Sequence, residues 1–151
     1  MNTTFSSGLL LWSNGNIFEG KQYAVSETRA DWFAASESCR DENATLAVIT
    51  SSLYDSFLRR RFLTTIGDVH VGLHRHARAC SCRGFSSAVC EACRASWSWH
   101  DGTAMNWWNW QQEEPNEFAC GRLSSDGWAE NDCDEEFEFL CERGLCISSV
   151  L

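Results

Sequence analysis

The chain has 151 residues, enough for one domain with a core of its own. Acidic residues outnumber Lys plus Arg 21 to 12, and the formal charge of −9 excludes the basic face that a phosphate backbone requires, so no nucleic-acid partner is expected. Nine cysteines in so short a chain point to an oxidising compartment and disulfides.

Residues 1–20 read as an irregular leader, polar and rich in Gly and Asn apart from Leu9–Trp12. Met1–Gly8 has no basic region, Leu9–Trp12 is too short for a signal-peptide core, and no run reaches membrane-spanning length. Because the nine cysteines point to an oxidising compartment, the chain is expected to be secreted or to be the extracellular part of a membrane protein, either as a piece of a longer protein or without its leader. Asn2-Thr3-Thr4 and Asn43-Ala44-Thr45 are candidate N-glycosylation sites that suit this compartment. Gln22–Val25 predicts a short strand. Thr28-Arg29-Ala30-Asp31 has the form of a capping box that opens a helix through Trp32, Phe33, Ala35 and Cys39, apolar mostly on one side. Ala44–Ile49 predicts a short buried segment. Ser52-Leu53-Tyr54-Asp55 is a second capping box, and Leu53, Phe57, Leu58 and Phe62 line one face of a second helix. Arg59–Arg61 form a basic turn near its C-terminus, where they complement the helix dipole.

Strands are predicted from there on. Val69–His74 alternates with the period of a half-buried strand. Arg75–Arg94 is a polar, Cys-rich excursion, and Ser96–Asn116 then packs five of the eight tryptophans into one segment. Trp97 and Trp99 alternate as on one strand face, His100-Asp101-Gly102 reads as a turn, and Trp107, Trp108 and Trp110 return the chain to the core. Pro115 is the only proline. A cis bond before it costs roughly 0.5–1 kcal/mol and would turn the oxygens of Glu114 and Asn116 toward one point. With Glu117 beside them, these donors suit a hard cation such as calcium; the plain alternative is an acidic surface turn. Trp128 precedes an acidic segment and Cys133, and Phe137, Phe139 and Cys141 alternate in a closing strand. Helices early and strands late imply an α+β domain.

Taken in order, these landmarks resemble the C-type lectin-like domain. The matching residues are Trp32-x-x-Ala35-x-x-x-Cys39, Leu46-Ala47-x-Ile49, Val69–Leu73, Trp99-x-Asp101-Gly102, Asn109-Trp110, Glu114-Pro115-Asn116, Cys120, Trp128, Cys133 and Phe139-Leu140-Cys141-Glu142. The resemblance implies an α+β C-type lectin-like fold over residues 21–143, with two helices, antiparallel sheets and a long ligand-binding loop. A Cys-rich insertion occupies 75–95 and a tail 144–151. It further implies two disulfides, Cys39–Cys141 and Cys120–Cys133, worth about 4–5 and ~3 kcal/mol in the loop-entropy account.

In this family Glu-Pro-Asn marks a mannose-type site, where the two side chains hold calcium and sugar hydroxyls complete its shell. The resemblance carries this role to Glu114 and Asn116. The family usually places Asn-Asp after the tryptophan, whereas Trp128 is followed by Ala129-Glu130. Glu130 stands in for the acid, and Ala129 offers no donor. Asn131-Asp132 follow two residues later and would need a bulge to reach the same place. Glu117 stands in for a further carboxylate. The function expected is calcium-dependent binding of a mannose-, fucose- or N-acetylglucosamine-type glycan or glycoprotein. The alternative is a calcium-independent domain that binds a protein ligand or serves as a structural extracellular module.

Cys80, Cys82, Cys90 and Cys93 in the insertion fit two local disulfides in an oxidising compartment; the less favoured alternative is a four-Cys zinc site, with His74 and His76 nearby. Cys146 is left over, a candidate for an interchain bridge in a disulfide-linked oligomer. His70, His74, His76 and His100 have no recognisable catalytic partner, so no enzymatic activity is expected.

Overall fold

The computed structural model describes residues 10–75 and 80–145; the Asn2 sequon, His76 and Cys146 lie outside them. The stretch 10–18, expected within an irregular leader, instead forms strand β1 (Leu10–Phe18), paired antiparallel with β2 (Lys21–Ser26). Glu19 and Gly20, both at positive φ, make the hairpin turn. The pairing register shifts between Trp12 and Ile17, so a strict alternation never forms and the strand is hidden in the sequence.

Helix α1 spans Trp32–Asp41. Its N-cap is Asp31, whose side chain accepts a hydrogen bond from the Ala34 N–H, so the cap lies three residues beyond the expected Thr28. The helix buries Trp32, Ala35 and Cys39, one stripe at i, i+3, i+7, while Phe33 falls on the far side and is exposed. β3 (Thr45–Leu46) pairs with the closing strand β8 (Glu138–Gly144).

The second helix differs from its expected form. It runs as α2 (Ser52–Leu58), one π-helical turn (Arg59–Leu63) and α3 (Thr64–Ile66). Ser51, not Ser52, is its N-cap, and Asp55 turns inward rather than completing a capping box. Leu58 and Phe62 are buried, whereas Leu53 is exposed. Arg59 is no solvated end charge, because its guanidinium donates to Asp55 and to the Ser124 carbonyl.

β4 (Val69–His74) is buried on both faces rather than one. It pairs parallel with β8, and antiparallel with β5 (Ser98–Trp99) and β6 (Cys120–Ser124). β7 (Gly127–Asn131) completes the order β1-β2-β8-β4-β6-β7. Between β4 and β5 the insertion carries a helix, α4 (Ser87–Ala95), capped by the Ser86 hydroxyl; it was hidden because its cysteines and short polar residues resemble loop. The bridges are Cys39–Cys141, Cys120–Cys133, Cys80–Cys93 and Cys82–Cys90, so the insertion cysteines offer no thiolates to zinc.

The core under the long loop is built from rings. Trp128 lies at its centre, with Trp99, Trp107 and Trp110 edge-on to it at centroid distances of 5.3, 5.7 and 5.6 Å. The loop is pinned to β7 by Trp128 N–H donating to the Asn109 carbonyl (2.7 Å) and Gln111 N–H donating to the Trp128 carbonyl (2.8 Å).

Candidate functional site

The Glu114–Asn116 turn lies between β7 and the insertion, and the peptide before Pro115 is cis. Glu114 is half-buried and points to β7, where its Oε1 accepts from the Glu130 N–H at 3.0 Å. Asn116 turns the other way. It is 1% exposed, and its Oδ1 accepts three hydrogen bonds from the insertion: Ser81 Oγ at 2.6 Å, Arg83 N–H at 3.0 Å and Cys82 N–H at 3.1 Å. Its Nδ2 donates to the Glu113 carbonyl at 2.9 Å, so every polar atom of the side chain is engaged.

Three residues of the insertion also bind the backbone in and beside this turn. Cys82 N–H donates to the Pro115 carbonyl (3.0 Å). Arg94 donates to the carbonyls of Glu114 (3.0 Å) and Gln111 (3.2 Å). Arg75, buried against the Trp97 ring at 5.0 Å, donates to the carbonyls of Asn116 and Phe118. Burial lowers the Arg75 pKa, and the carboxylates of Glu130 and Glu117 oppose that. Reading by spacing missed Arg75, Ser81, Arg83 and Arg94 because they carry no motif. The one available signal was Arg75 standing directly after an apolar strand.

Glu130 is half-buried, with its Oε2 accepting from the Phe118 N–H at 2.8 Å. Burial, then the charges of Glu114 and Glu117, push its carboxyl up to about 7. Burial raises Glu114 as well, and Glu117 adds to it. The sheet thus brings Glu114 and Glu130 together, and exposed Glu117 is close enough for its charge to be felt. Asn131 and Asp132 do not join them. The β6–β7 ladder runs in unbroken register from Cys120↔Asn131 to Ser124↔Gly127, so the bulge they require does not form. Asn131 is buried with its Oδ1 unpaired, and the Asp132 carboxylate accepts from the Asp134 N–H instead.

The family model described as Lectin C-type domain matches residues 28–143. The chain belongs to that family. This C-type lectin domain is 29% identical over 121 residues to the human secretory phospholipase A2 receptor; the match takes in 76% of the chain but only 7% of the receptor's length. In fold it is similar to the mouse scavenger receptor C-type lectin carbohydrate-recognition domain (TM-score 0.68, 22% identity, 89% of this chain and 94% of that one). A calcium-independent type II antifreeze protein is as similar (TM-score 0.67, 18% identity, 91% and 97%). One C-type lectin fold thus serves both, and it does not by itself decide whether calcium is used.

The donor set of this C-type lectin domain does not fit calcium as it stands. The ion takes six to eight oxygens, yet Asn116 Oδ1 already holds three donors and Ala129 brings none. Among the described residues, the metal-sized cluster of His, Cys, Asp or Glu atoms is His74 with Cys120 and Cys133, whose sulfurs are spent in their own bridge. What the arrangement offers is a turn closed by protein donors, with a rim of carboxylates beside it.

Proposed function

We propose that this C-type lectin domain is an extracellular recognition module that works without calcium at Glu114-Pro115-Asn116 and takes a protein ligand. The observation that carries the reading is Asn116, whose carbonyl oxygen is saturated by Ser81, Cys82 and Arg83 of the insertion. Those three donors do for the turn what a cation would otherwise do, holding its oxygens in one arrangement. A protein ligand is supported by the phospholipase A2 receptor, which by its name receives a protein. The four bridges support an oxidising, extracellular setting. No helix among the described residues is long and apolar enough to cross a membrane. Cys146 remains the candidate for a disulfide-linked oligomer. Recognition here involves no bond-making, so no catalytic role is assigned.

A second reading, calcium-dependent binding of a mannose-, fucose- or N-acetylglucosamine-type glycan through Glu114, Asn116, Glu130 and Glu117, is favoured by the mutual repulsion of Glu114, Glu117 and Glu130. A cation would relieve that crowding, but the insertion would have to leave Asn116 first. One experiment separates the two. A calcium site of about 0.1 mM affinity would add about 2.7 kcal/mol of stability in roughly 10 mM calcium. The calcium-independent reading expects the same melting temperature in calcium and in EDTA, and no chelator-released retention on mannose-agarose. A calcium-raised melting temperature, or elution from mannose by EDTA that Glu114→Gln abolishes, establishes the second reading instead.

A further inference from the structure

The insertion covers the Glu114–Asn116 turn and carries apolar side chains on its outer side. Phe85 is 61% exposed, Val89 on α4 45%, and Phe118, just beyond the turn, 41%. A shallow hollow of about 280 Å³ lined by Cys80, Ser81, Phe85 and Glu117 connects the insertion to the turn. Phe85 lines this hollow beside Glu117, Phe118 is the residue next to Glu117, and Val89 is exposed on α4 of the same insertion, so the apolar exposure is concentrated in the insertion and the segment after the turn.

The charges around the hollow are mostly of one sign. Glu117 lines the hollow with Phe85, Glu113 at the start of the turn is exposed, and the half-buried carboxyls of Glu114 and Glu130 both feel the Glu117 charge. Burial holds both of those carboxyls above their usual range, the charge of Glu117 adds to each and that of Glu114 to Glu130, while Arg122 and Arg83 oppose the shift at Glu114 and Arg75 opposes it at Glu130. The cations nearby are mostly committed. Arg75 and Arg94 are turned into backbone carbonyls, Arg94 is also paired to Glu91 at 2.9 Å, and Arg122 is paired to Asp68 at 2.8 Å, so Glu114 feels the positive charges of Arg122 and of exposed Arg83.

We propose that this face docks a basic protein surface, one that presents apolar side chains among lysines and arginines. The apolar residues supply anchors of the kind that dominate interfaces, and the acidic rim supplies steering and sign. Phosphate-rich and anionic-lipid surfaces are disfavoured by the same charges. The proposal rests on the calcium-independent reading above and names the chemistry of the partner for the same face.

The test uses two amphipathic helical peptides, one built of Leu and Lys and the other of Leu and Glu, titrated into the folded chain by fluorescence anisotropy in EDTA. The Leu/Lys peptide is expected to bind and to weaken as salt rises from about 50 to 300 mM. The double substitution Phe85→Ser, Phe118→Ser should weaken it about tenfold or more. Glu113→Lys with Glu117→Lys should reverse the preference toward the Leu/Glu peptide. All four positions are exposed, and an unchanged near-ultraviolet circular dichroism spectrum verifies that each variant is folded. Equal binding of both peptides, or wild-type binding by the folded double-Ser variant, overturns the proposal. Binding of the Leu/Lys peptide that appears only when calcium replaces EDTA overturns the calcium-independent reading, while the same two sets of variants, measured in calcium, still decide whether this face is the docking surface.

Discussion

Asp55 is buried within α2, where its carboxylate accepts from Trp128 Nε1 (2.9 Å), Asn109 Nδ2 (3.0 Å) and Arg59 Nε (2.6 Å). It ties the helix, the long loop and the central ring of the core to one side chain. Asp55→Ala leaves a buried indole N–H and a partly buried guanidinium without their acceptor, and is expected to cost about 3–5 kcal/mol in a urea titration. Asp55→Asn keeps part of the set and should cost less. Nothing in Ser52-Leu53-Tyr54-Asp55 distinguishes this role from a helix cap, because the partner indole is 73 positions away.

Two other side chains give the fold a dependence on pH, with opposite signs. His70 is buried, and its Nε2 reaches the carbonyls of Ala30 (2.9 Å) and Glu135 (3.2 Å). Burial lowers its pKa below 6.5, so the unfolded chain binds the proton more readily and stability falls as pH drops through about 6.5. Glu130 behaves oppositely. Its carboxyl is raised to about 7, so its contribution is fully present below about 4.5 and is lost as pH rises through 7. His70→Gln should remove the acid-side loss. Glu130→Gln should raise the melting temperature at pH 8 and leave it unchanged near pH 4, though solvent screening at this half-buried group keeps the effect small.

Among the elements, the insertion departs furthest from what spacing suggested. Its cysteines predicted staples, and the structure pairs the outer Cys80 with Cys93 and the inner Cys82 with Cys90 around α4. Those bridges hold Ser81, Cys82 and Arg83 against Asn116, an assembly that no local pattern encodes. Replacing Cys82 and Cys90 together by Ala should remove about 2–3 kcal/mol of loop-closure stabilisation. The amides of residues 82 and 83, which donate to Asn116, should then exchange with solvent faster, while those of β4 and β8 stay protected. Equal acceleration throughout the sheet would mean that the insertion is no separate unit of stability.

Over the whole molecule, the Cys39–Cys141 bridge joins α1 to β8 across 102 positions. Replacing both cysteines by Ala should cost about 4–5 kcal/mol, read as a lower denaturant midpoint. Much of this architecture was written locally. The Trp32, Ala35, Cys39 stripe and the Val69–His74 and Phe137–Cys141 strands follow from side-chain patterning within a few residues and give the α+β class, while the lectin-type fold and its two long-range bridges were implied by the resemblance of the ordered motifs to the family. The edge strand β1 escaped, since its pairing register shifts midway. So did the condition of the Glu114–Asn116 turn. Glu114, Pro115 and Asn116 can be read as a motif from the chain alone, but whether their oxygens are free depends on which donors arrive from elsewhere. Ser81, Cys82 and Arg83, 33 to 35 positions from Asn116, are brought to it by the packing of the insertion, and short-range patterns carry no information about a hydrogen bond made across that separation.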